Sequence, residues 1–485
     1  MLFSSLEFLL IFLPIALLGF YGLARLENAS WIRGWLLLCS LFFYAYWDWR
    51  YLPLMLFSIG FNYAIGQRLR SKASKAWLTF GVSLNLVLLG YFKYVDFFIE
   101  TLNEFGAQFS ALDIVLPLAI SFFTFQQISY LVDAHRGKTL QHDPLQYALF
   151  VCYFPQLIAG PIVHHGQMLS QFSFTGKIRF FDSPLVSTGL ILFIVGLCKK
   201  VIIADQVGAY VDPLFGSAMG LNFWEAWTAA IGYTIQLYFD FSGYSEMAMG
   251  IAMLFGITLP KNFDSPYRAR SIADFWRRWH MTLGQFLREY LYIPLGGGRN
   301  GVSRQIGALF TTMLLGGLWH GAGWTFVLWG GLHGIYLAIY HCAKRLGLPA
   351  LPKAIGITIT LSSVIFAWVL FRAGSLEEAS HIWMAMSGMD GISLPSSLAT
   401  ISQWISPWIH VKLFGSDYHS AGSLINGNEL YIFAVLLAIT VLSKNVHEFI
   451  EYWSPRYDWA IATAAGWTAA LYFVTDTSYF LYMQF

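Results

Sequence analysis

Long apolar runs recur through this chain with connections too short to form a water-exposed surface between them. Only 12% of its 485 residues are charged, about half the roughly 25% of an ordinary soluble domain, and the mean hydropathy is +0.56. One soluble core could not bury so much apolar surface, so most of the chain must face lipid. A spanning helix needs roughly 20 residues. Runs of this kind occupy about 2–26, 31–48, 51–67, 77–98, 112–132, 144–161, 184–205, 224–257, 306–341, 354–372, 430–445 and 459–474. They predict an all-α integral membrane protein built as a single domain over residues 1–485.

Two runs are irregular. The stretch 224–257 is too long for one perpendicular span and contains Asp240 and Glu246, while 306–341 is interrupted by glycines around His320. Broken or tilted helices are expected in both. The first run lacks a basic leader and exceeds the roughly 7–15 apolar residues of a signal peptide, so it reads as a span. Aromatic residues make up 18% of the chain, more than two interfacial belts require, so many must pack inside.

Orientation follows from the loop containing Arg68, Arg70, Lys72 and Lys75, which has no acidic residue. Such loops stay cytoplasmic. Counting from it places Met1 outside, Glu100 and Glu104 outside, and Arg136 and Lys138 inside. The charge-poor segment of about 390–428 reads as an extracytoplasmic loop, and two further spans then leave the C-terminus outside. A net charge of +2 gives no case for nucleic acid. Cys39, Cys152, Cys198 and Cys342 have neither CxxC nor metal-ligand spacing and read as free packing residues.

Three segments carry candidate chemistry. Between Gln236 and Asn300, Asp240 and Glu246 sit in an apolar helix, followed by Arg268, Arg270, Arg277, Arg278 and Arg288. Charges at membrane depth are costly unless paired or wetted. One reading pairs the acids with the arginines as inter-helix struts. Guanidinium groups also bind phosphate bidentately, and a basic cytoplasmic mouth would suit a phosphorylated donor such as coenzyme A. Contact with anionic lipid headgroups competes with that reading. The second segment, LLGGLWHGAGWTFVLWGGLH, flanks His320 with Gly316, Gly317, Gly321 and Gly323, leaving room for a neighbour or a substrate. A lone histidine on an apolar helix is more often a hydrogen-bonded core residue. With His280, which ends FWRRWH, it could instead supply a general base and an orienting partner. No metal-ligand spacing links the two. His164 and His165 read as loop or helix-end contacts, and His333 and His341 as packing residues. The third segment is the aromatic ending FLYMQF, which holds Tyr482.

These residues resemble the membrane-bound O-acyltransferases, in particular the bacterial branch that acetylates alginate, peptidoglycan or cellulose. The likeness runs through MLFSSLEFLLIFLPI, GYFKY, LPLAISFFTFQQISYLVD, FPQLIAGPI, QLYFDFSGYSEMAMG, FWRRWHMTLGQFLREYLYIPLGG, GGLWHGA and FLYMQF. It implies a ring of tilted transmembrane and re-entrant helices around a central acyl-transfer tunnel. His320 would correspond to the family's principal histidine and His280 to its second. Tyr482 would stand in the position of a tyrosine that accepts the acyl group and passes it on. Acetyl-CoA would be the donor, held by Arg277 and Arg278 with Trp276 and Trp319, and no metal is expected. A separate extracytoplasmic acetyltransferase or esterase-like partner would serve a polysaccharide acceptor such as alginate, in a bacterial cytoplasmic (inner) membrane. Two alternatives are weighed. A secondary transporter should have paired interrupted segments in two halves, and none is evident. A lipid acyltransferase using long-chain acyl-CoA would need a wider tunnel and would have no use for FLYMQF.

Overall fold

The computed structural model describes residues 1–174, 184–299, 301–389, 428–450, 457–474 and 481. These residues are helical or irregular, without a strand among them. The first part of the chain forms α1 (Phe8–Ala24), α2 (Ala29–Asp48), α3 (Leu52–Ser71), α4 (Lys75–Glu104), α5 (Ile120–His135) and α6 (Pro144–Cys152). Two long helices follow, α7 (Pro184–Gly216) and α8 (Phe223–Leu254), then the short α9 (Ile272–Arg278) and α10 (Met281–Leu287). The rest comprises α11 (Val302–His320), α12 (Trp324–Arg345), α13 (Lys353–Arg372), α14 (Leu376–Met386), α15 (Asn428–Leu442) and α16 (Tyr457–Phe473). Among the described residues, four helices are long and apolar enough to cross a membrane: α4, α7, α12 and α13.

Helix ends follow local chemistry. Asn28 accepts from the Ser30 and Trp31 amides at the start of α2. Capping boxes, Asp143 with Gln146 and Asn222 with Glu225, open α6 and α8, each satisfying amides that a helix start leaves without partners. The fifth apolar run becomes helical only at Ile120.

At the centre lies α8, buried around nearly its whole circumference, as expected for a helix enclosed by others. It packs along α7 through facing glycines. A Cβ on Gly196 would press on the Gly243 carbonyl, and one on Gly189 would stand 2.8 Å from the Gly250 carbonyl. Small residues of this kind let backbones approach closely in membranes. The same face carries buried charge. Lys199 meets Glu246 at 2.5 Å, and Lys200 meets Asp240 at 2.6 Å and Asp205 at 2.7 Å. The expected acid–arginine struts are therefore lysine struts. A π-helical turn at Lys199–Ala204 sets both lysines onto α8, while Arg268, Arg277 and Arg278 lie beyond it and meet other acids, Glu448, Asp274 and Asp264.

Two corrections to the span count follow from contacts. His164 returns to Asp133 at 2.6 Å, and the Gln146 amide reaches the Leu169 carbonyl at 3.5 Å. The run at 144–161 thus goes in and comes back at one end of the bundle. Its buried residues, among them Tyr153, Phe154 and Gln156, pack against protein. The run at 306–341 does not form one interrupted span either. It is an antiparallel hairpin, α11 against α12, in which Arg345 bonds Gln305 at 2.9 Å. A Cβ on Gly317 would fall on the Phe326 carbonyl and one on Gly330 on the Met313 carbonyl, so the hairpin closes only because both are glycine.

Candidate active site

His320 is the last residue of α11, and the break that follows it, at Gly321–Gly323, is the turn of the hairpin. A helix end leaves its last carbonyls unsatisfied, and here each has a partner. The Gly321 amide donates to Gly317, the Tyr94 hydroxyl to Leu318 at 2.9 Å, and the Lys93 ammonium to Trp319 at 2.6 Å and to His320 at 3.1 Å. Lys93 and Tyr94 come from a π-helical turn, Gly90–Tyr94, within α4. The imidazole of His320 stands among Trp319, Trp329 and Phe371, with ring centroids 4.9, 5.2 and 5.3 Å away. Behind them Trp279 and Trp368 are fully buried, as is Trp329 itself, the interior aromatics that composition required.

His280 joins α9 to α10 with its backbone in the left-handed region, at φ +43°. Such a conformation costs energy for a residue with a Cβ and persists only where neighbours enforce it. Asn262 is the enforcing neighbour. Its carbonyl accepts from the Met281 amide at 2.9 Å, and its side-chain oxygen accepts from His280 Nδ1 at 3.0 Å and from the Thr282 hydroxyl at 2.9 Å. An amide oxygen can only accept, so Nδ1 carries a proton and, in the neutral ring, Nε2 keeps the lone pair. The rings of His280 and His320 lie 6.4 Å apart. The two histidines that the sequence put forward are brought together.

His320 opens into a recess lined by Trp47, Lys93, Ser121, Phe122 and Trp319, enclosing about 650 Å³ of empty space with its mouth. Trp47 precedes the α2–α3 turn, so this recess lies at the end of the bundle opposite the Arg68–Lys75 loop. A second recess of about 350 Å³, lined by Ser129, His164, Thr282, Glu289 and Tyr290, lies at the loop's own end. Between the two stands an apolar plug of Ile162, Leu283, Leu287 and Trp319 with Phe122, Phe125 and Phe286. Its middle is a stack: Phe286 on Phe125 at 4.4 Å and Phe125 on Trp319 at 5.2 Å.

The other expected residues are placed as follows. Arg278 is held by Asp274 at 3.1 Å and by the Asp264 carbonyl at 3.1 Å. The Arg277 side chain is 72% exposed, its closest acid being Asp274 at 3.7 Å, so it has donors to spare. Trp276 directs its indole N–H to His333 Nδ1 at 3.3 Å, and His333 is enclosed by Phe275, Trp276 and Trp329. Trp319 belongs to the plug. Tyr482 lies outside the described residues, as does most of the 390–428 segment. Leu481, directly before Tyr482, is buried and donates its amide to Asp240 at 3.1 Å.

Sequence reasoning passed over Lys93, Asp133 and Tyr290. Lys93 stands as a lone cation within an apolar run, which is itself a signal. His164, His165 and Tyr290 converge on one oxygen of Asp133, at 2.6, 3.2 and 2.6 Å. This group of Asp133, His164 and His165 is compact enough to hold a metal ion. However, His164 Nδ1 accepts the Gly166 amide at 3.3 Å, so the neutral ring carries its proton on Nε2, the atom facing Asp133. That arrangement suits a hydrogen-bonded hub joining the 164–168 turn to α5, the loop contact read from sequence with an acid at its centre.

The family model of the membrane-bound O-acyltransferases matches residues 140–377. The chain is 39% identical, over all of its length and 98% of the relative's, to the peptidoglycan O-acetyltransferase of Helicobacter pylori. It is 42% identical to the probable alginate O-acetylase AlgI of Pseudomonas aeruginosa, across 80% of this chain and 75% of that one. The teichoic acid D-alanyltransferase of Bacillus subtilis is 28% identical across 52% of this chain and 68% of its own.

Proposed function

The chain belongs to the membrane-bound O-acyltransferase family and is a membrane O-acetyltransferase; from that premise we propose that it draws acetyl groups from cytoplasmic acetyl-CoA and delivers them, through Tyr482, to an envelope polysaccharide outside the membrane. The observation that carries this reading is the pairing of His320 and His280 between two recesses that open toward opposite ends of the bundle. The basic loop at one end supports a cytoplasmic position for that end, with both termini outside a bacterial inner membrane.

Acetyl-CoA keeps its phosphates in water at the cytoplasmic end, where the exposed Arg277 guanidinium can take a diphosphate oxygen. The thin pantetheine arm carries the thioester past the displaced plug. His320 removes the proton of the Tyr482 hydroxyl, whose reference pKa near 10 makes this easier than for an aliphatic alcohol. The phenolate oxygen attacks the thioester carbonyl, the C–S bond breaks, and the departing thiolate takes the proton back from the imidazolium. His280, fixed by Asn262, orients the base or steadies the oxyanion. An aryl ester remains reactive enough to surrender its acetyl group to a partner's hydroxyl, and from there to the polymer. Alginate and peptidoglycan are the acceptors named for the relatives, and either presents hydroxyls on that side.

The test incubates the purified protein with labelled acetyl-CoA and maps covalent acetyl by mass spectrometry. Label on Tyr482 that disappears in His320→Ala is the expected result. Transfer unchanged in Tyr482→Phe would remove the relay, and unchanged label in His320→Ala would remove the base.

A further inference from the structure

Beside His320 stands a cation that takes no part in the chemistry proposed for Tyr482. Lys93 lies in the apolar helix α4, at the π-helical turn Gly90–Tyr94. Its ammonium is held by two carbonyl oxygens, those of Trp319 and His320, and by no carboxylate among the described residues. A lysine so placed in a membrane segment is costly, and where it occurs it marks function more often than packing. Polar hydroxyls would suffice to cap a helix end, as Tyr94 does for Leu318 in the same turn. Keeping a charge there calls for a further reason.

Two features supply it. A cation at a helix C-terminus is favourable to the helix dipole, and this helix ends on the very residue that carries the imidazole. An ammonium also has three N–H donors. Two are taken by the carbonyls, and the side chain lines the recess into which His320 opens. While the amine is protonated, a third donor is left over for a group in that recess, where an acyl carbonyl would sit beside that ring.

We infer that Lys93 is a positioning residue for acetyl transfer: it fixes the end of α11, and with it the His320 imidazole, while holding one N–H toward the acetyl carbonyl oxygen in the recess. The inference rests on the acetyltransferase reading and adds to it a group from a distant helix. Negative charge grows on that oxygen as the tetrahedral intermediate forms, so an N–H donor held in place stabilises the transition state more than the ground state.

The experiment uses the full-length protein in lipid nanodiscs and measures kcat and KM for acetyl-CoA, together with thermal unfolding. Lys93→Met retains the length and removes the charge and donors. It should lower kcat by roughly 100-fold and leave KM little changed, because the donor binds at the other end of the bundle. Lys93→Cys should be equally slow, and alkylation of the new thiol with bromoethylamine, confirmed by mass, should restore most of the rate by rebuilding an ammonium of lysine's length. A Met variant with native kcat overturns the inference, and so does an aminoethylated protein that stays slow. Should the Met variant fail to fold, Lys93→Gln keeps donors for the carbonyls without the charge, and native turnover in that folded variant is likewise fatal. A native protein that does not consume acetyl-CoA would defeat the donor assignment first, so the two failures are distinguishable.

Discussion

Replacing Asn262 with leucine removes one acceptor on which the geometry of His280 depends. Asn262 is 1% exposed, and its side-chain oxygen takes the Nδ1 proton of His280, itself 0% exposed, and the hydroxyl of Thr282. Leucine strands three donors, the His280 Nδ1–H, the Thr282 hydroxyl and the more distant Thr282 amide at 3.4 Å; a buried donor without a partner costs about 1–3 kcal/mol. Thr282 can rotate its hydroxyl elsewhere and its long amide bond is weak, so a net destabilisation near the cost of one, about 2 kcal/mol, is expected. The kinetic effect should be larger than this suggests. With Nδ1 no longer held as the donor, the imidazole can turn or exchange tautomers, and a displacement of about 1 Å at a reacting centre costs on the order of 100-fold, or about 2.8 kcal/mol in the barrier. Acetyl-CoA turnover by the variant in detergent or nanodiscs would be compared with Asn262→Asp, which keeps an acceptor for Nδ1 and should stay within about tenfold of native. A folded Asn262→Leu protein with kcat within twofold of native would refute the claim that His280 must be held in one tautomer.

Three further outcomes can be measured. Lys200→Met leaves Asp240 and Asp205 without their shared cation, which should cost about 3–5 kcal/mol in unfolding experiments; adding Asp240→Asn should recover part of it, and a double variant no more stable than the single would contradict the pairing. Gly330→Val places side-chain carbon against the Met313 carbonyl and the Gly317 backbone, so a loss of about 1–3 kcal/mol and a disproportionate loss of turnover are expected, while a fully active valine variant would show the hairpin is looser than described. Phe125→Ala removes the middle ring of the plug; stability should fall by about 3 kcal/mol, and acetyl-CoA hydrolysis to water should rise relative to transfer, an increase whose absence would argue that the plug does not separate the recesses.

Fold class and the paired histidines were legible because they depend on local information. Apolar runs state their own environment, and GGLWHG places an imidazole beside residues with no side chain to block it. The partners of the charges were not legible. Asp240 and Glu246 have arginines within forty residues of sequence, yet they pair with Lys199 and Lys200, because helix packing sets distance in space and sequence proximity does not. The number of crossings failed for a similar reason. Residues 144–161 are as apolar as a span, but Phe154, Gln156 and Leu157 face protein on every side, and hydropathy does not distinguish a lipid environment from a protein one. Asn262 carried no signal: an asparagine before a loop reads as a turn residue until the ring it holds is seen.

The π-helical turns at Gly90–Tyr94, Lys199–Ala204 and Arg288–Tyr292 present Lys93, Lys200 and Tyr290 respectively. Each such turn holds one residue more than the α-helical pattern allows, so it shifts the phase of everything after it by about 100°. Deleting a single apolar residue within five positions of any of the three would barely change composition and hydropathy while swinging an ammonium or a phenol away from its acceptor. For this chain the arithmetic of helix length is thus as much a part of the chemistry as the identity of the side chains, and single-residue gaps at these places would be the mark of a relative that has changed its trade.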